Sequence, residues 1–390
     1  MKTKFITAAL ILLITLAAQA NPKLLWSSSI DADMTQNLEA VFDGKNISTL
    51  FSDEKFYDGN DWIYSFDHQG KIRWKYKDNL DGKNSSLQFK PVLETENGNV
   101  YVVGDESLIA LNERGKLLWN FNFYQNLGQF SQGCKLLADN HRILTGCYDI
   151  NSKAQHKLLK DPKIFKDSSS INTAYFFNTD GKLLWQHTFA GIIYHMDFYD
   201  AESILILDGS GTLSKISNTG DELQTWGNVD DFDYENNVLL ILSTGETLLS
   251  AFDKNNKELW HSDVPNFFGE PTQTVLKQIA DKIFLVNFSS EYVERGIAAA
   301  TILDSKGNLL RYKKITDNVT SYGGVTTDGK IYYGHFNADG NKFLINVLDD
   351  QFKPAWDKEF RPVNGAQSQF SPKGSFLTLD ENNYLSQFAK

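Results

Sequence analysis

The sequence has few cysteines and no long apolar run after its first twenty residues. No stretch beyond residue 20 approaches the length of a membrane-spanning helix, which argues against a membrane-embedded chain. No cysteine lies near the end of the N-terminal apolar segment. This absence argues against the lipid anchor of bacterial lipoproteins, which needs a cysteine at the cleavage point.

The N-terminal segment has the pattern of a secretory signal peptide. Lys2 and Lys4 precede an apolar run from Ala8 to Ala18, and the segment ends in the small-x-small sequence Ala18-Gln19-Ala20. We predict cleavage after Ala20, a signal peptide over residues 1–20 and a mature chain over residues 21–390. The mature protein is expected to be periplasmic or secreted.

The chain also has fewer basic than acidic residues. The chain carries 38 Lys and Arg against 49 Asp and Glu, a net charge of −11. Removal of Lys2 and Lys4 with the signal peptide leaves 36 against 49, a net of −13. Such a surface repels nucleic acid and anionic lipid, so we expect no nucleic-acid partner and no membrane partner.

A Lys-x-x-Trp strand recurs along nearly the whole chain. Its six copies end at Trp26, Trp74, Trp119, Trp185, Trp260 and Trp356. Two degenerate copies fill the gaps. One follows Gly220, with Trp226 displaced by two positions, and the other follows Gly307, with Arg311 in the tryptophan position. The sequence therefore contains eight repeats.

Each repeat contains four predicted strands. Most copies are preceded by a turn that begins with Asp or Asn and ends with Gly, which is hairpin chemistry, and two further alternating runs lie upstream. Four strands per unit predict a propeller blade. We therefore predict an all-β fold, a single eight-bladed β-propeller over residues 21–390. The N-terminal strand completes the blade that the C-terminus begins.

This repeat resembles that of the PQQ-like, or quinoprotein-type, β-propeller family, whose signature is an apolar-Asp turn followed by Gly-Lys-x-x-Trp. The resemblance implies that the tryptophans are structural and dock between neighbouring blades. We interpret all seven tryptophans of the repeats in this way: Trp26, Trp74, Trp119, Trp185, Trp226, Trp260 and Trp356.

The only two cysteines flank a predicted hairpin. If Asn140 and His141 form a two-residue loop, counting outward places Cys134 opposite Cys147 at a non-hydrogen-bonded pair, where the Cα atoms are close enough for a disulfide. An oxidising compartment favours that bond. The alternative is a pair of buried thiols.

One interval between repeats is longer than the others. Its excess, residues 151–171 in the third blade, is basic in an otherwise acidic chain. It carries Lys153, Lys157, Lys160, Lys163 and Lys166. Loops that project from a propeller are common binding elements, so this insertion is a candidate interaction loop for an acidic partner or for the molecule's own surface. The alternative is a solvated hairpin extension.

No group of residues in the sequence forms a recognisable catalytic or metal-binding motif. The seven histidines are scattered without metal-ligand spacing. The acidic run Asp231–Glu235 resembles a calcium loop, but Asn236 stands where that loop needs Gly and Leu242 where it needs Glu. We interpret the run as a strand with inward aromatics.

Quinoprotein dehydrogenases share the repeat and use a quinone with calcium. They are considerably longer, and their adjacent cysteine pair at the cofactor is missing here. We therefore predict no cofactor, no metal site and no enzymatic activity. The function predicted is a scaffold that binds a protein or peptide on one rim. The alternative is a small-molecule or carbohydrate binder, or an enzyme, that uses the central funnel.

Overall fold

The computed structural model describes most of the propeller. The described residues are 22–30, 34–42, 46–53, 61–77, 92–94, 98–104, 107–151, 171–243, 248–265, 273–289, 297–316, 322–336, 343–360, 369–370, 376–379 and 384–389. The predicted signal peptide and the five lysines of the insertion lie outside these ranges.

The described strands form eight four-stranded antiparallel sheets. Each sheet is one blade, and consecutive strands pair within it. The first strands of neighbouring blades contact one another, as β14 contacts β18 and β18 contacts β22, which places the first strand of each blade innermost. The predicted eight-bladed propeller is confirmed.

The strands of the first four blades are as follows. Blade 1 contains β2 (Met34–Phe42), β3 (Asn46–Asp53), β4 (Asp61–Asp67) and β5 (Ile72–Lys77). Blade 2 contains β6 (Val92–Glu94), β7 (Val100–Val103), β8 (Ser107–Leu111) and β9 (Leu117–Asn122), followed by a short helix α1 (Phe123–Leu127). Blade 3 contains β10 (Gln129–Ala138), β11 (Arg142–Asn151), β12 (Ile171–Asn178) and β13 (Leu183–Phe189). Blade 4 contains β14 (Ile193–Phe198), β15 (Ser203–Asp208), β16 (Leu213–Ser217) and β17 (Glu222–Trp226).

The strands of the remaining blades follow the same order. Blade 5 contains β18 (Asp231–Glu235), β19 (Val238–Ser243), β20 (Leu248–Asp253) and β21 (Glu258–Asp263). Blade 6 contains β22 (Gln273–Ile279), β23 (Lys282–Ser289), β24 (Ile297–Asp304) and β25 (Leu309–Thr316). Blade 7 contains β26 (Tyr322–Val325), β27 (Ile331–Phe336), β28 (Phe343–Leu348) and β29 (Pro354–Phe360). Blade 8 contains β30 (Gln369–Phe370), β31 (Phe376–Leu379), β32 (Tyr384–Ala389) and β1 (Lys23–Ser29).

Blade 8 closes the ring by joining the two ends of the chain. Strand β1 pairs antiparallel with β32, from Lys23 opposite Ala389 to Ser29 opposite Tyr384. The Trp26 indole donates a 2.7 Å hydrogen bond to the Gln387 side chain. The prediction that the N-terminal strand completes the last blade is confirmed.

The turn between the third and fourth strands uses one recurring set of bonds. In blade 1, Asp67 Oδ1 accepts the backbone N–H groups of Gln69 and Lys71, both at 2.9 Å. The turn ends at Gly70, whose φ of +80° suits glycine. The same pattern, in which one side-chain oxygen accepts the backbone N–H groups two and four residues later, recurs at Asn112, Asn178, Ser217, Asp253, Asp304 and Asp349.

The glycine of this turn lies directly against the tryptophan of the preceding blade. A Cβ added at Gly115 would lie 2.6 Å from a ring carbon of Trp74, and the Trp74 indole donates a 2.9 Å bond to Glu113 O in the same turn. We call this arrangement the Trp–Gly clasp. The hydrogen bond and the ring contact recur at Trp119 on Gly181, Trp185 on Gly220 and Trp260 on Gly307. Trp26 covers Gly70 in the same way, although its indole donates to Gln387 instead.

Two of the seven described turns lack the clasp. Register places Gln224, not Trp226, in the tryptophan position of blade 4, and the turn that faces it ends in Asn256 with φ +63°. Arg311 takes the position in blade 6, and the facing turn ends in Phe352 with φ +59°. Glycine is thus present in the described turns where an indole covers it, and absent where none does.

Hydrophobic clusters fill the spaces between blades. Trp74 packs with Val100 and Ile109 of the next blade, and Phe232 packs with Leu205 and Leu239. Between blades 7 and 8, Trp356 is almost fully buried and stacks on Phe376 of blade 8, with ring centroids 5.1 Å apart. Within the described residues, no helix is long and apolar enough to span a bilayer.

Candidate functional site

Chain topology gives the ring two different faces. The turns between strands one and two and between strands three and four of a blade lie on one face, which we call the turn face. Blade 8 has no turn of the second kind, because its third and fourth strands are β32 and β1. The connections between strands two and three, and those between consecutive blades, lie on the other face, which we call the crossover face. The Trp–Gly clasps lie on the turn face, so the crossover face is free of them.

Two large apolar side chains are exposed on the crossover face at the start of blade 4. Ile192 is 54% exposed and Tyr194 is 55% exposed, at the start of the innermost strand β14 and so on the side of the central funnel. Most other exposed large apolar residues lie on outer strands: Leu24, Leu25, Leu118, Leu184, Leu223, Leu259, Leu309, Leu310 and Tyr312. Single exposed residues on outer strands are ordinary surface. A pair beside the funnel mouth is a candidate contact surface.

The backbone under Ile192 and Tyr194 is held in place by its neighbours. A Cβ added at Gly191 would lie 2.8 Å from Gly209 Cα, so these two connections of blade 4 are in close contact. Lys135 Nζ of blade 3 donates to Tyr194 O. Burial lowers the pKa of Lys135. The apolar pair is therefore presented by an ordered backbone, which reduces the entropy cost of binding.

The basic insertion begins and ends on this same face. It connects β11 to β12 of blade 3, whose ends Asn151 and Ile171 lie on the crossover face in the blade next to Ile192. Residues 152–170 themselves lie outside the described part of the chain.

Innermost strands of blades 4 to 6 carry a layer of ionisable side chains. His195 Nδ1 lies 3.0 Å from Asp231 Oδ1, and its ring stacks on Phe232 with centroids 4.3 Å apart. Asp233 Oδ1 accepts a 2.6 Å bond from Lys277 Nζ. These contacts join blade 4 to blade 5 and blade 5 to blade 6.

Both aspartates also bind the backbone of the next blade. Asp231 Oδ2 accepts from Leu276 N at 3.0 Å, and Asp233 Oδ2 accepts from Gln278 N at 2.7 Å. An innermost strand has an unpaired edge, and these carboxylates satisfy its N–H groups. The predicted strand over Asp231–Glu235 is confirmed, and Phe232 is fully buried. Sequence reasoning missed that both aspartates are buried as well and join the blades.

Charges in this layer shift the pKa values of its members. Burial raises the pKa of Asp197, and the neighbouring Asp233 adds to the shift although His195 and Lys277 oppose it. Burial alone would lower the pKa of Lys277, but the charge and hydrogen bond of Asp233 outweigh it, so this pKa is raised. Among the described residues, no cluster of His, Cys, Asp and Glu is arranged to hold a metal ion.

The two cysteines form a disulfide in the innermost hairpin of blade 3. Asp139 N donates to Arg142 O at 2.9 Å, which closes the two-residue loop at Asn140 and His141. Gly133 and Cys134 stand together opposite Cys147, because the strand has a bulge there. The Cys134 and Cys147 Cα atoms are 4.1 Å apart and the sulfurs are bonded. Both residues are buried, and of the two alternatives the disulfide is present.

Comparison with known proteins finds a match to one family model and a fold shared with several solved structures. The model of the family described as outer membrane protein assembly factor BamB matches residues 13–191, just under half of the chain. No curated protein matches in a sequence search.

Several solved propellers share the fold at low identity. BamB from Moraxella catarrhalis is 13% identical, with a TM-score of 0.59 over 95% of this chain and 98% of that one. The WD40 domain of SCAP from fission yeast is 10% identical, with a TM-score of 0.57 over 93% and 97%. The C-terminal WD40 domain of Sif2 is 12% identical, with a TM-score of 0.55 over 95% and 98%.

At these identities the likeness shows the fold alone. The family match over residues 13–191 adds a likeness in the type of repeat. The chain is an eight-bladed β-propeller whose repeats resemble the PQQ-like repeat, and it is similar to BamB in fold.

Proposed function

We propose that this protein is an exported, non-enzymatic scaffold that holds a protein or peptide partner on the crossover face. The observation that carries the proposal is the exposed pair Ile192 and Tyr194 beside the funnel mouth. Exposed tyrosine and aliphatic side chains on an ordered backbone are typical anchors of protein interfaces.

The comparisons support the same class of function. The family whose model matches is described as an assembly factor for outer membrane proteins, which fits a protein-binding role. By analogy, and because of the predicted signal peptide, we propose that this chain works in the periplasm or cell envelope. The basic insertion, whose described ends lie in blade 3, would add charge complementarity for an acidic partner.

A photo-crosslinking experiment tests the proposal. A photoreactive amino acid in place of Tyr194 should give one dominant adduct in periplasmic extract, and the double variant Ile192→Ser/Tyr194→Ser should lose the same partner in a pull-down. The matched control is Leu118→Ser/Leu259→Ser, which removes two outer-strand leucines of similar exposure. Retention of the partner by the Ile192/Tyr194 variant, or equal loss in the control, would refute the proposed site.

A melting screen tests the alternative that a small ligand occupies the funnel. Sugars, nucleotides and the quinone cofactor with calcium would be added separately to the purified protein. A saturable rise in Tm that is abolished by Lys277→Met, but not by Ile192→Ser/Tyr194→Ser, would favour a funnel ligand over the scaffold.

A further inference from the structure

Strand β25, the outer strand of blade 6, is exposed from Leu309 to Lys314. Every side chain from Leu309 to Lys314 is exposed, whereas the outer strands of the other blades each contain at least one half-buried or buried position. Leu309 is 53% exposed, Leu310 46% and Tyr312 39%. The strand pairs with β24 and is the last strand of its sheet, so its outer edge faces solvent.

The strand is exposed because blade 6 departs from the repeat. Arg311 replaces the tryptophan that packs against the next blade in the clasped junctions. Its guanidinium reaches Asp350 O only at 3.5 Å, in the turn where a clasp would be, and Lys313 Nζ reaches Phe352 O at 3.4 Å. Places where a sequence breaks its own structural rule are often functional.

The charge of this strand is opposite to that of the whole chain. Arg311, Lys313 and Lys314 lie within six residues, in a chain of net charge −11. The neighbouring outer strands carry exposed acids: Glu258 and Asp263 in β21, and Asp357 and Glu359 in β29. The basic strand is therefore the place on this side of the ring to which an acidic segment would be drawn.

Side chains on β25 alternate in a way that defines what would fit. Arg311 and Lys313 point toward the turn of blade 7, and Tyr312 between them lies on the opposite face, since successive residues of a regularly paired strand alternate. A strand laid along this edge would match it with acids at every second position and apolar residues between them.

We propose that the outer edge of blade 6 binds an extended acidic segment of a partner protein by strand addition. Main-chain bonds to the edge give affinity, and the alternating acids and apolar side chains give selectivity. This surface is separate from the Ile192–Tyr194 site, so the inference extends beyond the proposed function and does not depend on it.

Fluorescence anisotropy with designed peptides tests the inference. The probe is a labelled eight-residue peptide of alternating Glu and Val, and the comparison peptides are alternating Lys and Val, and the Glu/Val peptide N-methylated on every second residue. We expect saturable binding of the Glu/Val peptide alone, weakened by salt. The double variant Arg311→Glu/Lys313→Glu should weaken it roughly tenfold or more, and should gain affinity for the Lys/Val peptide.

Matched controls separate this edge from the rest of the molecule. Lys75→Glu/Lys77→Glu reverses two exposed lysines on β5, the outer strand of blade 1, and should leave the affinity within about twofold, because distant surface charges are screened. Ile192→Ser/Tyr194→Ser should also bind normally. Equal weakening by the β5 variant, undiminished binding by the β25 variant, or no binding by the native protein would overturn the inference. The last result would mean that the lysines only shield an edge strand from pairing.

Discussion

The junction between blades 2 and 3 and the junction between blades 4 and 5 are held together in different ways. At the first, Trp119 covers Gly181 and donates to Thr179 O at 2.8 Å, on the outside of the ring. At the second, Gln224 and Asn256 occupy the equivalent places, so no clasp forms. There, Tyr199 stacks on Tyr234 with centroids 4.2 Å apart.

The difference shows that neighbouring blades of one propeller can be joined either by a Trp–Gly clasp at the outer strands or by contacts between inner strands. Junction 4–5 lacks the outer indole and has Tyr199 on Tyr234 and His195 with Asp231, and junction 6–7 has Lys282 with Asp350. Ionic contacts between blades are not confined to the unclasped junctions, since Lys277 also binds Asp233 at the clasped junction 5–6. The indole and the turn glycine are lost together. We infer that they act as a pair.

The largest effect is expected from removal of a clasping indole. Trp74 is 9% exposed, and its replacement in Trp74→Ala should lower the free energy of unfolding by about 3–5 kcal/mol, since a cavity replaces the ring. Gln224→Ala, at the same repeat position of an unclasped junction, should cost less than about 0.5 kcal/mol. Urea unfolding of both variants measures the difference, and similar costs would show that the indole does not stabilise the clasped junction more than Gln224 stabilises the unclasped one.

Substitution of a clasped glycine should have the next largest effect. A Cβ at Gly181 would lie 2.5 Å from a ring carbon of Trp119, at φ +80°, so Gly181→Ala should cost about 2–4 kcal/mol from strain and overpacking together. Two other glycines serve as controls that separate those causes. Gly128 has φ +70° but open space around the added Cβ, and Gly227 has open space without a positive φ.

The two controls have different expected costs. Gly128→Ala should cost about 1–2 kcal/mol, the strain of a positive φ alone, and Gly227→Ala should change stability by less than about 0.5 kcal/mol. The same urea titration ranks the three variants. A Gly181→Ala cost no greater than that of Gly128→Ala would show that the ring does not press on the turn.

Loss of the disulfide, which lies at the clasped junction between blades 2 and 3, should lower stability by a smaller amount. Cys134 packs in the cluster that joins blades 2 and 3, and its bond to Cys147 closes a separation of 13 residues. Cys134→Ala/Cys147→Ala should lower the unfolding free energy by about 2–3 kcal/mol. Reductant should destabilise the native protein by a similar amount and leave the double variant unchanged; an equal response of both would contradict this assignment.

The smallest effect on stability is expected from Tyr199 at the unclasped junction 4–5, and it should appear only at alkaline pH. Burial and the neighbouring Tyr234 raise the pKa of Tyr199 to about 12. A folded-state pKa above the unfolded value near 10 means that the native state keeps its proton longer. Stability is therefore unaffected below pH of about 10 and falls as the pH rises toward 12. Tyr199→Phe should make that fall shallower, as measured by denaturation at pH 8 and pH 11, and an unchanged slope would contradict the shift.

Much of this architecture could be predicted from the sequence because it depends on local periodicity. The eight repeats, the shared last blade and the hairpin that sets Cys134 opposite Cys147 all follow from spacing along the chain. The displacement of Trp226 by two positions is also confirmed by its pairing with Leu213.

Contacts between blades could not be predicted in the same way. The sequence shows Gly115 as a turn residue, but its contact with Trp74 spans 41 positions and depends on how two blades pack. Asp231 and Asp233 alternate like exposed strand residues, yet both bind the backbone of blade 6. The exposed pair Ile192 and Tyr194 has no sequence signal, because apolar residues in a strand are ordinarily expected to be buried.

A double-mutant cycle on Trp74 and Gly115 is the decisive test of whether the indole and the glycine form one coupled unit. Unfolding free energies would be measured for the native protein, Trp74→Ala, Gly115→Ala and the double variant. Once the ring is gone, Gly115→Ala should cost only about 1–2 kcal/mol, that of a positive φ, so the double variant should be more stable than the sum of the single costs predicts. Additive costs would contradict the clasp.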